Sequence, residues 1–171
     1  MSNLTTDITF KHATICDLAF IVDVYNQTIP SRMVTADTEP VTIESRKSWF
    51  DAHNAQARPL WLISYQDKPC GWVSLSTFYG RPAYAKTVEI SLYIHTHFRG
   101  KKIGQSAVQY VERFALEHNI ENILCYIFAH NLPSLSLFNK MGYQQWGYLP
   151  NVAILDNNHR DLVILGKSIV G

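Results

Sequence analysis

The sequence predicts a mixed α/β fold, built as a single domain over residues 1–171. Segments with strand character and segments with helical spacing of apolar residues alternate in the order β-α-α-β-β-β-α-β-α-β-β. The run from 123 to 128 is almost entirely apolar, which is typical of a strand buried on both faces of a sheet. A chain of 171 residues also has the length of one ordinary domain.

The first half of the chain is predicted to hold two helices and three strands. Alternating side chains favour a strand at 8–12, and turn residues between two apolar runs favour a hairpin. Thr14 and Thr42 are predicted helix N-caps, with Asp17 completing a capping box beside Thr14. The expected segments are a strand at 8–12, a helix at 14–28, an irregular stretch at 30–40, a helix at 42–53, and strands at 60–65 and 70–78.

The second half is predicted to add two helices and four strands. Asn131 is the expected cap of the last helix, and Pro133 is tolerated in its first turn. Asn119 and Gly142 are expected to end the two helices, because both residue types accept a left-handed backbone. The expected segments are strands at 87–94 and 123–128, helices at 103–118 and 131–142, and final strands at 144–148 and 161–170.

Composition and charge exclude several classes of function. The net charge is +1, so no overall field draws the protein to nucleic acid or to a membrane. No apolar run reaches the roughly 18 residues of a membrane span, and Met1–Asp7 lacks the features of a signal peptide. The cysteines at 16, 70 and 125 have no metal-binding or redox spacing. We therefore expect a cytoplasmic protein with reduced thiols.

The turn Arg99–Gly104, between a strand and a helix, has the features of an anion site. Its glycines allow close approach of the backbone, and the free amides of a helix N-terminus carry partial positive charge. Arg99 and Lys101 add two full charges. The turn is neither a dinucleotide fingerprint nor a P-loop, because the diagnostic residues of both are missing. A turn that binds nothing is the alternative.

Two motifs in this order resemble the GNAT acetyltransferase superfamily. The turn Arg99–Gly104 is similar to the family pattern Gln/Arg-x-x-Gly-x-Gly/Ala, with Lys102 in place of the middle glycine. Residues Asn131–Tyr143 are similar to the pattern Asn-x-x-Ser-x-x-Leu-Phe/Tyr-x-x-x-Gly-Tyr/Phe. The resemblance implies a twisted, mostly antiparallel sheet of seven strands with about four helices, splayed between the fourth and fifth strands. It also implies acetyl-CoA as the co-substrate, with its pyrophosphate on the amides of the turn.

A narrower resemblance covers nearly the whole chain. The segments at 24–29, 38–40, 81–89 and 157–162 are similar to the phosphinothricin/methionine sulfoximine N-acetyltransferase branch. This resemblance implies direct transfer, in a ternary complex, to the α-amino group of a small glutamate-like or methionine-derived substrate. It also implies a homodimer.

Acetyl transfer to an amine needs a base, and Glu89 is the candidate. It lies in an otherwise apolar strand, at the place of the family's proposed base, where burial would raise the pKa of its carboxyl group. The alternative is an exposed polar face shared with Ser91 and Tyr93. By resemblance, a backbone amide near Leu92 or Tyr93 polarises the thioester, and Leu92, Tyr93 and Ile94 line the pantetheine arm. Simple strand pairing is the alternative for these three.

The resemblance also implies the remaining cofactor contacts. They are assigned to Arg99, Gly100, Lys101, Lys102, Ile103, Gly104, Gln105, Asn131, Ser134 and Phe138. Phe138 stands where many members have a tyrosine acid, and it has no proton to donate. A thiol with a pKa near about 8.5 can leave without an acid, so this departure does not exclude the reaction. Asn131 and Ser134 could equally serve only the start of a helix.

Arg81 is the candidate anchor for a substrate carboxylate, because a guanidinium binds a carboxylate through paired hydrogen bonds. Tyr84 and Phe78 could form walls of the same pocket, although aromatic residues more often belong to the core. A solvated loop arginine is the alternative. His95 and His97 flank the end of a strand, but no further ligands stand at a metal-binding spacing, so we expect no metal.

Three other functions stay open at this point. One is acetylation of protein N-termini or polyamines, and an acidic groove would favour polyamines. Another is a non-catalytic acyl-CoA sensor, which the departures at Lys102 and Phe138 favour and Glu89 disfavours. A nucleotide-binding protein with the same turn is disfavoured by the lack of an acidic partner for a ribose.

Overall fold

The computed structural model of the chain describes residues 7–171, so the interpretation of the N-terminal segment lies almost wholly outside the described residues. Within this range the strands are β1 (Ile8–His12), β2 (Leu60–Tyr65), β3 (Lys68–Thr77), β4 (Thr87–Ile94), β5 (Asn122–Phe128), β6 (Gln144–Leu155) and β7 (Asn158–Ser168). The α-helices are α1 (Leu18–Asn26), α2 (Ile43–Asp51), α3 (Ile103–Glu117) and α4 (Leu132–Lys140). The predicted order of elements is confirmed.

The strands form one seven-stranded sheet with the order β1-β2-β3-β4-β5-β7-β6. Neighbouring strands are antiparallel except β4 and β5, which are parallel. This parallel ladder joins Thr87–Glu89 to Asn122–Leu124 and then stops. Beyond Glu89 the two strands diverge, so the sheet has the splay that the resemblance implies.

Helices cover both faces of the sheet and bury two apolar clusters. The larger cluster lies under α3 and α4, and its members include Val88, Ile90, Ile103, Val108, Val111, Ile123 and Phe138. The smaller cluster lies under α1 and α2, and its members include Leu18, Ile21, Val24, Leu60, Leu62 and Trp72. Because side chains alternate along a strand, β4 directs Val88 and Ile90 to the first cluster and Tyr93 to the second.

The predicted N-caps are confirmed at two helices. The Thr42 hydroxyl accepts a hydrogen bond of 3.1 Å from the Ser45 amide, and the Asn131 side-chain oxygen accepts one of 3.3 Å from the Ser134 amide. These bonds satisfy amides that have no partner inside the helix. They fix where α2 and α4 begin, and therefore where residues of α4 stand beside β5.

The first helix is shorter than the predicted span of 14–28. Short 3₁₀ turns at Ile15–Asp17 and Ile29–Ser31 flank α1 on its two sides. The Thr28 hydroxyl donates to the Tyr25 carbonyl at 2.7 Å, and proline at position 30 cannot donate a backbone hydrogen bond. Both effects end the α-helix early, so the chain turns toward the sheet at this point.

The last two strands are longer than predicted. β6 continues past its predicted end at Tyr148, and β7 starts before its predicted beginning at Asp161. The dipeptide Pro150–Asn151 suggests a strand end, but its asparagine takes φ 55° within an irregular stretch of pairing, and the strand resumes. Asp156 and Asn157 close the hairpin with φ of 49° and 65°, as a two-residue turn with positive φ requires.

Candidate active site

The splay between β4 and β5 opens a cleft of about 570 Å³. The two strands form its base, the turn before α3 and the start of α4 form its walls, and the segment after α1 reaches its rim. Most of the predicted site residues line it, namely Glu89, Leu92, Tyr93, Ile94, Arg99, Gly100, Lys102, Ile103, Gly104, Gln105, Asn131, Ser134 and Phe138. Both motifs of the sequence therefore meet at one cavity.

Glu89 occupies the last paired position of the β4–β5 ladder. It lies opposite Leu124 on β5 and opposite Ser76 on β3, and it faces the cleft. The side chain is half-buried, and burial raises the pKa of its carboxyl group above the usual range. A carboxylate with a raised pKa is a stronger base, so this position suits the removal of a proton from an amine.

The edge of β4 that faces β5 has no ladder partner after Glu89 within residues 7–171. A strand edge of this kind presents free N–H and C=O groups to whatever occupies the gap. An extended ligand can add to such an edge through main-chain hydrogen bonds. The backbone of Leu92–Ile94, which lines the cleft, is therefore available to a ligand.

The turn before α3 combines two left-handed residues with a helix N-terminus. Gly100 has φ 78° and Lys102 has φ 59°, and α3 starts at the next residue. Glycine adopts this conformation freely, whereas another residue loses roughly 1–2 kcal/mol. Arg99 and Lys102 line the cleft together with the first turn of α3, whose amides are free to bind an anion.

Gly104 has a packing role that the sequence did not predict. A Cβ added at this position would lie 3.0 Å from Leu137 Cδ2 and 3.6 Å from Leu92 Cδ2. The missing side chain therefore lets α3 approach α4 and β4 closely, in addition to leaving room in the cleft.

Asn131 and Phe138 join the second motif to the cleft. Asn131 is 5% exposed, and it caps α4 while it also lines the cleft. A cap of α4 can therefore also be a residue that contacts a ligand in the cleft. Phe138 is also 5% exposed, and its ring meets the Tyr143 ring edge-to-face with centroids 5.0 Å apart. Phe138 thus contributes an apolar wall and has no hydroxyl group.

The other predicted site residues lie outside the cleft lining. Lys101 Nζ lies 5.3 Å from the centroid of the Tyr65 ring, a cation–π contact. Phe78 and Tyr84 meet edge-to-face at 5.6 Å in the loop after β3, and Arg81 is exposed between them. This loop follows the end of β3 that pairs with Val88, so it lies near Glu89.

Tyr126 is a site residue that the sequence analysis missed. It is 37% exposed on β5 and lines the cleft, and burial, the Glu89 carboxylate and Tyr79 together raise the pKa of its phenol. A polar side chain within an apolar strand was the available signal, as it was for Glu89.

The segment after α1 was also missed, since its cleft residues carry no distinctive chemistry: Thr28, Ser31, Met33 and Val34.

Two sequence expectations concern metals and membranes. Residues 7–171 hold no cluster of three potential metal ligands, and the helices in this range are all too short or too polar to span a bilayer. The three cysteines are unpaired, and burial raises the pKa of the Cys70 thiol to about 11.

The sequence matches a known family and two kinds of relative. The profile of the acetyltransferase (GNAT) family matches residues 21–143. YwnH of Bacillus subtilis (strain 168), provisionally named a phosphinothricin acetyltransferase, is 47% identical over 154 residues, which cover 90% of this chain and 94% of YwnH. An L-methionine sulfoximine/L-methionine sulfone acetyltransferase of Pseudomonas paraeruginosa is 26% identical over 143 residues, which cover 83% of each protein.

Solved structures share the fold over nearly their whole length. A crystal structure provisionally described as a phosphinothricin N-acetyltransferase has a TM-score of 0.91 at 45% identity and covers 96% of this chain and 99% of its own. YncA of Salmonella typhimurium, an acetyltransferase by provisional description that was solved with its cofactor acetyl-CoA, has a TM-score of 0.86 at 20% identity. That match covers 96% of this chain and 95% of YncA.

The chain therefore belongs to the GNAT acetyltransferase family and is an acyltransferase. Within that family it is an N-acetyltransferase of the phosphinothricin and amino-acid type. The branch resemblance in the sequence is confirmed.

The left-handed backbone at Lys102 gives a stability prediction. Lys102→Gly and Lys102→Ala both remove the charge, but only glycine relieves the positive φ of 59°. The relief exceeds the extra entropy that glycine loses on folding, so the glycine variant should be more stable by roughly 0.5–1 kcal/mol. Urea unfolding of both variants measures this difference. Equal stabilities would contradict the left-handed conformation.

The raised pKa of Glu89 predicts a pH-dependent gain in stability for Glu89→Gln. Burial disfavours the ionised carboxylate in the folded protein. Above the folded pKa of Glu89, this ionisation therefore lowers the free energy of unfolding of the parent protein. Below the unfolded pKa of about 4.3 both states are protonated and the cost vanishes. The variant should thus have the higher melting temperature at pH 8 and no such advantage near pH 4. Glu39→Gln, at an exposed position, is the control, and a destabilised Glu89→Gln at pH 8 would refute the argument.

Proposed function

We propose that the protein transfers the acetyl group of acetyl-CoA directly to the α-amino group of a small amino-acid-like substrate. Methionine sulfoximine, methionine sulfone and phosphinothricin represent this class. The observation that carries the proposal is the splay, where a half-buried carboxylate, a free strand edge and an anion-binding turn share one cleft. The activities named for the relatives support the substrate class.

The cleft fits acetyl-CoA, which supplies an activated acetyl thioester when it is bound. The amides from Gly100 to Gln105 would hold the pyrophosphate, with Arg99 and Lys102 adding charge. The edge of β4 from Leu92 to Ile94 would pair with the pantetheine arm, and one of its amides would polarise the thioester carbonyl. Asn131, Ser134 and Phe138 would contact the same arm from α4.

Glu89 would act as the general base. It would take a proton from the substrate ammonium, either directly or through one water, so that the free amine attacks the thioester. The C–N bond formed to the acetyl carbon would replace its C–S bond, and CoA would leave as the thiolate. Phe138 has no proton to offer, and a thiol with an ordinary pKa near about 8.5 can leave without one.

Arg81 would hold the substrate carboxylate. The loop that carries it lies at the Glu89 end of the cleft, and Tyr79 in that loop influences Tyr126 on the cleft wall. The lining charges of the cleft are mostly basic, with Arg99, Lys102 and Lys140 against one carboxylate. This balance favours an anionic substrate group over a polyamine.

We also propose that the enzyme is a cytoplasmic homodimer. β6 is the last strand of the sheet, and it exposes a row of large apolar side chains, Trp146, Tyr148, Leu149, Val152 and Ile154. A patch of this kind on a sheet edge favours burial against a second copy. Three unpaired cysteines suit a reducing compartment.

A thiol-release assay with acetyl-CoA and a panel of free amino acids tests the proposed function. We expect turnover with methionine sulfone, methionine sulfoximine and phosphinothricin. Glu89→Gln should lower kcat by roughly 10²–10⁴-fold at pH 7, and the deficit should shrink at high pH, where the amine deprotonates unaided. Wild-type kcat in this variant would remove Glu89 from the mechanism. Stoichiometric acyl-CoA binding without turnover on any amine would favour the sensor.

Removing the carboxylate anchor should erase discrimination between an amino acid and its decarboxylated amine. Arg81→Ala should lose about thirtyfold in kcat/KM for methionine sulfone, the value of a charge-assisted contact of about 2 kcal/mol. The decarboxylated amine should be a poor substrate for the parent and nearly unaffected by the variant. Arg58→Ala, whose guanidinium bonds Thr77 and the Ala85 carbonyl near the base of the same loop, controls for loop disturbance. Equal use of acid and amine by the parent would refute the anchor.

A further inference from the structure

A second cavity, of about 180 Å³, lies on the face of β4 that α1 and α2 cover. Four aromatic side chains, two of them tyrosines, line it with one arginine, one serine and several aliphatic side chains: Tyr25, Trp49, Trp72, Tyr93, Arg46 and Ser91. A cavity of this size is smaller than the roughly 300–1,000 Å³ of sites for whole ligands, so it suits a single side chain.

The second cavity and the main cleft share Ser91 and Tyr93. Both residues point to the same face of β4 as Glu89, because side chains alternate along a strand. Ser91 follows Glu89 by about 6.7 Å along the strand axis. Ser91 and Tyr93 therefore link the position of Glu89 with the second cavity along one face of β4.

Arg46 is the charged group of this cavity. Its guanidinium carbon lies 4.6 Å from the centroid of the Tyr25 ring and 5.9 Å from that of Trp49. One guanidinium nitrogen donates a hydrogen bond of 3.0 Å to the Asp37 carboxylate. Within residues 7–171 this is the one hydrogen bond that the Arg46 side chain makes. A guanidinium has several N–H donors, so this bond leaves donors for a ligand.

The aromatic rings that line the cavity pack against one another. Trp72 stacks on Tyr93 with centroids 4.6 Å apart, and Trp49 meets Trp72 edge-to-face at 5.3 Å. The Trp72 indole nitrogen donates to the Ile21 carbonyl at 3.1 Å, which fixes that ring against α1. The cavity is thus lined largely by packed aromatic rings, and in the described part of the chain its one charged lining group is the guanidinium that pairs with Asp37.

We propose that this cavity is the subsite for the substrate side chain, and that Arg46 hydrogen-bonds the oxygen-bearing group at the end of that side chain. The inference rests on the proposed function, since it assumes an amino-acid acceptor at Glu89. The methylene groups of the side chain pack against the rings, and a sulfone, sulfoximine, phosphinate or carboxylate accepts from the guanidinium.

Methionine sulfone and methionine test the subsite, because they differ only in the two sulfonyl oxygens. Arg46→Met should lower the ratio of kcat/KM for the sulfone to that for methionine by at least about tenfold. Lys47→Met, at the neighbouring position on α2 where the ammonium pairs with Glu44 at 2.6 Å, is the matched control and should leave the ratio unchanged. Thermal unfolding and acetyl-CoA binding report whether each variant is folded.

Asp37→Asn separates ligand binding from a merely structural role of Arg46. If Arg46 only holds the segment before α2 through Asp37, both Arg46→Met and Asp37→Asn should slow the two acceptors equally, and this result would overturn the proposal. If Arg46 binds the ligand, Asp37→Asn should keep or increase the preference for the sulfone. Arg46→Lys, which keeps the charge and loses the planar fork, should give an intermediate ratio and replaces Arg46→Met if that variant does not fold.

The proposed function and the subsite fail in different ways. A parent protein that acetylates neither amino acid refutes the proposed function. A parent that acetylates both, with a ratio that Arg46→Met does not change, refutes the subsite and leaves the proposed function standing.

Discussion

The short parallel ladder between β4 and β5 is the constraint on which the rest of the structure depends. It joins the strands through only the three pairs from Thr87 to Glu89. Because it stops there, Glu89 stands at the corner of a gap instead of inside a continuous sheet, and the next residues of β4 keep a free edge. The half-buried carboxylate, the available backbone and the cleft all follow from the same interruption.

The helix layers use the two faces of β4 for different purposes. On the face of α3 and α4, Val88 and Ile90 complete an apolar core, and Gly104 allows the turn before α3 to approach Leu92. On the face of α1 and α2, Tyr93 and Ser91 stand beside Trp72 and Arg46. One strand therefore completes an apolar core on one side, and on the other side its Ser91 and Tyr93 line both cavities.

Much of the fold could be predicted from the sequence, because local rules decide many of its boundaries. The caps at Thr42 and Asn131 and the apolar runs of β2 and β4 are each set by a few neighbouring residues. The continuation of β6 beyond Pro150 could not be predicted, because a left-handed asparagine and pairing with β7 override the usual effect of proline. Its length depends on a partner strand, which no local pattern reveals.

The candidate site was predicted where a motif stood in one segment and missed where distant segments combine. The glycine turn and Glu89 carry their chemistry in neighbouring residues, and both line the cleft. Tyr126 and Arg46 gain their positions only when β5 and α2 pack beside β4. Lys102 is intermediate, because its charge is visible in the sequence while its φ of 59° is a property of the folded turn.

Because the ladder is interrupted, β4 and β5 share fewer backbone pairs than any other neighbouring strands of the sheet. On one side β3 and β4 pair through seven residues, and on the other β5 and β7 pair through seven, all antiparallel. Only three parallel pairs, across the crossover through α3, join these two halves. Parallel pairing between strands distant in the chain is less stable and slower to form than a hairpin. The boundary between the two halves therefore has fewer backbone pairs than any other pair of neighbouring strands in the sheet, and the cleft opens at that boundary.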